Sequence, residues 1–165
     1  MGARLISEAF KKRLVKKTYL AILDGEIDGK VEWNDRLQRS RHKTRNAPKS
    51  GIGAQTVIEP LICRYGHTLA TAGIVTGRTH QIRVQAAIHG HPLTGDRKYE
   101  GSTLLDRYVL HAALLSLTAA DFGPDLPIGY GGLDRLFAPL PEKSIVHIDA
   151  LFGIGTAERI VADLC

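Results

Sequence analysis

One short segment of the chain concentrates the polar residue types that bind anions. Residues 76–83 read Thr-Gly-Arg-Thr-His-Gln-Ile-Arg, a pattern that predicts a strand turning into a helix near His80. A helix N-terminus presents unpaired N–H groups and a positive dipole end, which suit phosphate or carboxylate. Arg78 and His80 reinforce such a site, and Arg83 shares a helix face with His80. The segment is neither a P-loop nor a dinucleotide fingerprint, so spacing alone leaves a solvated helix start as an equal alternative.

A second candidate pair lies on a predicted strand, Lys17 to Asp24. Lys17 and Tyr19 are two residues apart, which places both side chains on one face of that strand. A tyrosine beside a lysine is a pairing with which single-stranded RNA sites stack a base and hold a phosphate. The alternative is a strand tyrosine half-buried over the core.

The histidines and cysteines do not have metal-site spacing. His80, His89 and His91 do not form H-E-x-x-H, and no cysteine or acidic residue lies at a zinc-like offset from them. We therefore predict no metal site. His111 lies in an apolar run, which favours a hydrogen-bonded core histidine over a catalytic base. The two cysteines have no C-x-x-C spacing, which favours a reducing compartment.

The elements that must position these residues alternate irregularly between strand and helix patterns. The mixture predicts an α+β domain with a mixed, mainly antiparallel sheet and flanking helices, rather than regular βαβ units. Thr79 is the predicted cap of the helix that carries Arg83. The other expected elements are a helix over 3–14, strands over 55–62, 68–75, 109–118 and 145–151, a helix over about 80–89, an irregular segment over 121–132 and a helix over 156–164.

Charge is distributed unevenly along the 165 residues. The net charge is +5, but residues 1–49 carry 13 basic and 6 acidic side chains whereas residues 50–165 carry 9 and 11. Residues 36–49 contain six Lys or Arg and no acidic residue, and we expect an exposed loop there. Such a field favours a polyanionic partner. The length fits one domain, and the absence of a long apolar run or secretory signal favours a cytoplasmic protein without a membrane partner.

Several segments taken together indicate a protein family more specifically than any one of them does. In order and spacing, the chain resembles the RluA-type RNA pseudouridine synthases. The segments that carry this resemblance are Val15-Lys16-Lys17-Thr18-Tyr19-Leu20-Ala21 with Gly25, Val75-Thr76-Gly77-Arg78-Thr79-His80-Gln81-Ile82-Arg83-Val84, Gly90-His91-Pro92-Leu93-Thr94-Gly95-Asp96 with Tyr99, Leu110-His111-Ala112, and Phe137-Ala138-Pro139-Leu140-Pro141.

The resemblance implies a pseudouridine synthase-like fold and isomerisation of uridine in ribosomal RNA, with the large subunit favoured, without metal or organic cofactor. It makes Arg83 the arginine that pairs with a catalytic aspartate, and Tyr19 the tyrosine that stacks on the flipped uracil and serves as a base. Lys17, Arg78, Thr79, His80 and Gln81 are then expected to line an RNA-facing cleft. The basic segment becomes a phosphate-contacting insertion through Arg39, Arg41, Lys43 and Arg45.

The chain departs from the family pattern in two respects. The family's nucleophile lies in an Arg-Leu-Asp-x-x-Thr-Ser-Gly segment upstream of the Lys-x-Tyr strand, and these 165 residues do not contain that segment. Residues 1–165 are therefore expected to be a catalytic domain incomplete at its N-terminus and inactive alone. Gln85 also replaces a histidine usual in the helix motif. Alternatives are a catalytically silent RNA-binding protein, a transfer RNA pseudouridine synthase, and a stand-alone enzyme that uses another acid such as Asp96.

Overall fold

Seven antiparallel strands form one sheet in the described part of the chain. The computed structural model describes residues 11, 15–74, 76–116 and 135–164. The strands are β1 (Lys16–Asp24), β2 (Val31–Arg39), β3 (Thr44–Asn46), β4 (Ile52–Arg64), β5 (His67–Ile74), β6 (Leu110–Ser116) and β7 (Arg135–Phe137). Their order in the sheet is β3-β2-β4-β5-β1-β6-β7, and neighbours pair antiparallel.

Helices cover both faces of the sheet at its centre. They are α1 (Gln81–Ile88), α2 (Glu142–Phe152) and α3 (Thr156–Leu164), and a 3₁₀ turn spans Arg97–Tyr99. Residues 20–23 of β1 are fully buried because alternate side chains enter two cores. Ala21 and Leu23 pack in the cluster that includes residues of α1, whereas Leu20 and Ile22 pack with residues of α2 and α3.

The predicted fold class, an α+β domain with a mainly antiparallel sheet, is confirmed. The expected strands before and after Arg64-Tyr65-Gly66-His67, the strand through Leu110 and the final helix are present, with small shifts of their ends. The helix expected over 3–14, apart from residue 11, and the irregular segment over 121–132 lie outside the described residues. In the part of the chain that the structure covers, no helix is long and apolar enough to cross a bilayer.

The basic segment 36–49 is not the loop expected. Residues 36–39 belong to β2 and residues 44–46 form β3, and the two strands make a hairpin at the sheet edge with a connection over residues 40–43. Leu37 and Thr44 are buried while the cations of the hairpin are exposed, so the strand period is present beneath the charge. High charge predicts a solvated segment, and the exposed face of an edge hairpin is as solvated as a loop. Charge alone therefore does not distinguish the two.

The strand expected over 145–151 is wrong, because these residues lie within α2. Its buried residues Ile148 and Phe152 are four apart, which is a helical spacing. The β-branched residues of this run favour a strand only weakly, and tertiary packing overrides that preference. Asp149 also accepts the backbone N–H groups of Gly155 and Ala157, which fastens the end of α2 to the start of α3.

Candidate active site

The turn before α1 is held by the side chain of Gln81. Its carbonyl oxygen accepts the Thr76 hydroxyl at 2.7 Å and the Arg78 backbone N–H at 3.1 Å. Its amide nitrogen donates to the Gln55 carbonyl and the Thr56 hydroxyl, which fixes α1 to β4. The side chain is 3% exposed. Gln81 therefore shapes this turn from inside, instead of lining an RNA-facing surface as expected.

The predicted cap at Thr79 is also wrong. His80 is the N-cap residue, in the left-handed conformation at φ 55° and without a side-chain cap bond, and Thr79 is exposed beside it. The Gln81 side chain instead holds the preceding turn, because it accepts the Arg78 N–H. Arg78 itself reaches back to β4 and donates from Nε to the Gly53 carbonyl at 3.3 Å.

Arg83 is bound to a carboxylate of this chain. Its Nε and Nη2 donate to the two oxygens of Asp96, each at 2.7 Å, in a bidentate pair. The Asp96 side chain is 1% exposed and that of Arg83 is 11% exposed. The hydrogen bonds to Asp96 raise the pKa of the Arg83 guanidinium above its ordinary value. The arginine is therefore held in one orientation as a permanent cation.

Two aromatic rings pack against the guanidinium of Arg83 and further restrict its position. The guanidinium carbon lies 4.9 Å from the ring centroid of Tyr99 and 4.5 Å from that of Tyr108. Tyr99 is 2% exposed and follows Asp96 in the 3₁₀ turn. His80 lies on the same tyrosine, with Nδ1 2.9 Å from the Tyr99 hydroxyl oxygen. His80 and Arg83 are therefore close together, as expected, and both contact Tyr99.

A cavity of about 490 Å³ borders Tyr108, the second ring partner of Arg83. It lies between the start of β6 and the start of α2, and a cavity of this size accommodates a nucleobase or nucleoside. His111 lines it while its Nε2 bonds the Ala138 carbonyl at 2.9 Å. The predicted hydrogen bond of His111 is thus found. The other lining residues are Arg107, Leu110, Pro141, Glu142, Lys143 and Ser144.

Gln85 anchors the middle of α1 to the sheet. It is fully buried, accepts the Thr56 hydroxyl at 2.6 Å, and places its amide nitrogen 2.7 Å from an Asp35 carboxylate oxygen and 3.0 Å from the Trp33 carbonyl. His89, one turn later, contacts the same Asp35 oxygen at 3.0 Å. The family's usual histidine is thus replaced by an amide whose donors and acceptor are all used.

Tyr19 and Lys17 lie on the face of β1 that packs beneath α1. Tyr19 is half-buried against the cluster that contains α1 residues, and Tyr108 packs against the same cluster. Its neighbours across the sheet are Ala72 and Ala112, small residues that crowd the ring least. The Lys17 ammonium lies 3.6 Å from where a Cβ on Gly77 would stand. The strand therefore places both residues next to the turn before α1.

Burial raises the pKa of the Tyr19 phenol above its ordinary value of 10. The phenol is therefore protonated at neutral pH. Stacking on a base requires no deprotonation, so this environment favours the stacking role over the role of a base.

The four cations proposed for the basic segment are all exposed, but they do not share one face. Lys43 lies 5.0 Å from the Tyr99 ring centroid, and the charge of Arg39 reaches His80. Arg45 neighbours Thr44, which is buried toward Tyr99, so strand alternation directs Arg45 to the opposite face. Arg41 lies in the connection of the hairpin. The hairpin thus presents Arg39 and Lys43 on the Tyr99 side.

Sequence reasoning gave no role to Tyr99 or Tyr108. Both occur near motif residues, Tyr99 three residues after Asp96 and Tyr108 three residues before His111. Their roles depend on contacts between distant segments, which spacing does not reveal. In the described residues, no group of three or more His, Cys, Asp or Glu side chains is arranged to hold a metal ion.

Comparison with known proteins agrees with this architecture. Residues 1–87 match the family described as RNA pseudouridylate synthase. An uncharacterized RNA pseudouridine synthase of Helicobacter pylori is 41% identical over 70% of this chain and 49% of its own length. Ribosomal large subunit pseudouridine synthase D of Salmonella typhimurium is 29% identical over 87% of this chain and 47% of its own length. The chain thus spans about half the length of these curated relatives.

A solved structure shows the same fold. Human RNA Pseudouridylate Synthase Domain Containing 1 superposes with a TM-score of 0.68 at 24% identity, over 98% of this chain and 70% of that one. The family match covers more than half of the chain and includes both Tyr19 and Arg83. The chain belongs to the RNA pseudouridylate synthase family.

Proposed function

We propose that this chain forms the arginine and tyrosine side of a pseudouridine synthase site that acts on ribosomal RNA of the large subunit. In that reaction the N1 glycosidic bond breaks, the uracil turns, C5 bonds to the ribose, the C5 hydrogen leaves as a proton and N1 gains one. The observation that carries the proposal is the rigidly held Arg83, on the sheet face that also bears Tyr19. Ribosomal RNA is favoured because a large-subunit ribosomal enzyme matches most of the chain.

The geometry leaves Arg83 able to serve a second carboxylate. Nε and Nη2 are used by Asp96, and within the described residues Nη1 makes no hydrogen bond. The proposed nucleophile is an aspartate of the family's Arg-Leu-Asp segment, oriented and kept ionised by this charge. Asp96 is a poor nucleophile because it is buried and both its oxygens are bound. The 165 residues alone are therefore proposed to bind RNA without turnover.

Tyr19 is proposed to hold the uracil once it has left the RNA stack. An aromatic face is the usual support for a flipped base. Its flanking alanines leave room above the sheet, and Lys17 on the same face supplies a charge for the adjacent phosphate. Arg78, Thr79 and His80 then meet the RNA beside the turn, with Arg39 and Lys43 extending the basic surface along the hairpin.

Replacing Arg39 and Lys43 together by Ala is expected to weaken binding of a large-subunit ribosomal RNA fragment about tenfold or more at low salt. The two cations lie on the Tyr99 side, and each lost phosphate contact lowers the slope of log affinity against log salt by about 0.7–0.9. Fluorescence anisotropy across a salt series measures both quantities.

The matched control is Arg45→Ala, because Arg45 is an equally exposed cation of the same hairpin on its opposite face. It is expected to change affinity less than threefold or so. Equal losses from both sides would mean that the hairpin attracts RNA without orienting it. A transfer RNA that binds more tightly than the ribosomal fragment would overturn the proposed substrate class.

A further inference from the structure

Tyr99 contacts two segments that are distant from it in sequence, the basic hairpin and the start of α1. Its ring lies against the guanidinium of Arg83 and the ammonium of Lys43, at 4.9 and 5.0 Å from the ring centroid. Its hydroxyl oxygen lies 3.2 Å from the Thr44 backbone nitrogen and 2.9 Å from Nδ1 of His80. The residue is 2% exposed. One buried side chain thus touches the hairpin, the turn before α1 and the arginine of the proposed site.

The donors and acceptors around the Tyr99 hydroxyl determine which neighbour accepts its proton. A backbone N–H only donates, so the Tyr99 oxygen accepts from Thr44. The hydroxyl proton then needs an acceptor, and among the described residues Nδ1 of His80 is the other atom that hydrogen-bonds this oxygen. Nδ1 must therefore be unprotonated, which leaves the ring proton on Nε2. His80 in this arrangement is a neutral donor.

The charges around His80 act in the same direction. Burial, Arg83 of α1, Lys98 of the 3₁₀ turn and Arg39 of β2 lower the pKa of His80, and only Asp96 opposes them. The Lys43 ammonium lies 5.0 Å from the centroid of the Tyr99 ring that His80 also contacts. The imidazole is therefore neutral at pH 7, as the donated hydrogen bond requires.

We propose that Tyr99 is a positioning residue of this site: its hydroxyl holds His80 as the Nε2-protonated tautomer and locks the basic hairpin to the turn before α1, the helix that carries Arg83. The link with catalysis rests on the proposed function. The tautomer and the lock are properties of the folded chain, and they are tested without RNA or turnover. If they are found but the chain joined to an upstream Arg-Leu-Asp segment forms no pseudouridine, the proposed function fails and the positioning role stands.

The test uses the 165-residue chain labelled with ¹⁵N in histidine, with His80 signals assigned by their loss in His80→Gln. At pH 7.5, two-bond ¹H–¹⁵N spectra are expected to show an unprotonated Nδ1 and a protonated Nε2. In Tyr99→Phe, the ring that packs on Arg83 remains while the hydroxyl is lost. The Nδ1 signal is then expected to move to that of a nitrogen without a hydrogen bond, and Thr44 amide exchange to quicken by about fivefold or more.

Tyr108→Phe is the matched control, because Tyr108 also packs its ring on Arg83 yet has no hydroxyl contact with His80. Its His80 spectrum and Thr44 exchange are expected to equal those of the wild type. An Nδ1-protonated His80 in the wild type would overturn the proposal even if Tyr99→Phe does not fold. Unchanged Thr44 exchange in a folded Tyr99→Phe would overturn the lock.

Discussion

Arg83→Ala is expected to lower the free energy of unfolding by about 3–5 kcal/mol, because it leaves a buried carboxylate without its partner. Asp96 is 1% exposed, and Arg83 binds both of its oxygens. The substitution also removes the cation that packs on the rings of Tyr99 and Tyr108. Urea unfolding followed by circular dichroism measures the loss, and an equal slope in both proteins shows that the same transition is compared.

The double variant Arg83→Ala with Asp96→Asn separates the buried charge from the lost packing. Asparagine keeps an oxygen for the Lys98 N–H, which Asp96 accepts, and removes the unpaired charge. At least half of the lost stability is expected to return. A loss below about 1 kcal/mol in the single variant would contradict this prediction. Such a small loss is typical of a solvent-exposed ion pair and not of an arginine that compensates a buried carboxylate.

Gln85→Leu is expected to cost roughly 2–4 kcal/mol. Leucine matches the amide in size but leaves the Asp35 carboxylate, the Trp33 carbonyl and the Thr56 hydroxyl without the bonds that Gln85 makes. Because Gln85 and Arg83 lie on the same short helix, the loss of the Gln85 hydrogen bonds is also expected to loosen the helical turn that contains Arg83. Hydrogen exchange of the α1 amides together with urea unfolding checks both effects.

Gln85→His provides the matched control, since histidine is the residue that the family pattern favours here. An imidazole can donate to Asp35 or a carbonyl and accept from Thr56, so its cost is expected to be about 1 kcal/mol. If Leu and His prove equally tolerated, the hydrogen bonds of Gln85 do not hold α1 in place.

Fold class and the residues around the turn were accessible from sequence because they depend on local pattern. The apolar alternation of Lys17–Asp24 and the Thr-Gly-Arg-Thr-His run each mark a place in the chain, and both are found next to each other across β1 and α1. Strand alternation also predicted correctly that Lys17 and Tyr19 share a face. Periodicity was enough where burial follows the regular repeat of an element.

Prediction failed where a local signal had two physical origins. The cations of 36–49 indicated a loop, yet they are the solvated side of an edge hairpin. The apolar run at 145–151 indicated a strand, yet it packs as a helix against the sheet. Gln81 looked like a surface amide because its helix start is polar, but its amide nitrogen donates to Gln55 and Thr56, 26 and 25 residues away. Such partners are fixed by tertiary contacts.

The ion pair between Arg83 and Asp96 is a further contact that local sequence pattern does not predict. The family resemblance predicts that Arg83 pairs with the catalytic aspartate of the Arg-Leu-Asp segment, whereas the structure pairs it with Asp96, 13 residues further along the chain. Asp96 binds Nε and Nη2, so we propose that the nucleophile's carboxylate binds at Nη1 of the same arginine. Tyr99 in the 3₁₀ turn and Tyr108 just before β6 complete that arrangement.

Release of tritium from 5-tritiated uridine in large-subunit ribosomal RNA tests the central claim most directly. The protein assayed joins this chain to an upstream segment with the family's Arg-Leu-Asp motif, beside its Arg83→Lys variant, which keeps a cation opposite Asp96. The account predicts release by the joined protein, at least about a hundredfold less from the folded Arg83→Lys variant at nearly unchanged RNA affinity, and none from the 165 residues alone. Undiminished release by Arg83→Lys, or turnover by the 165 residues alone, would contradict it.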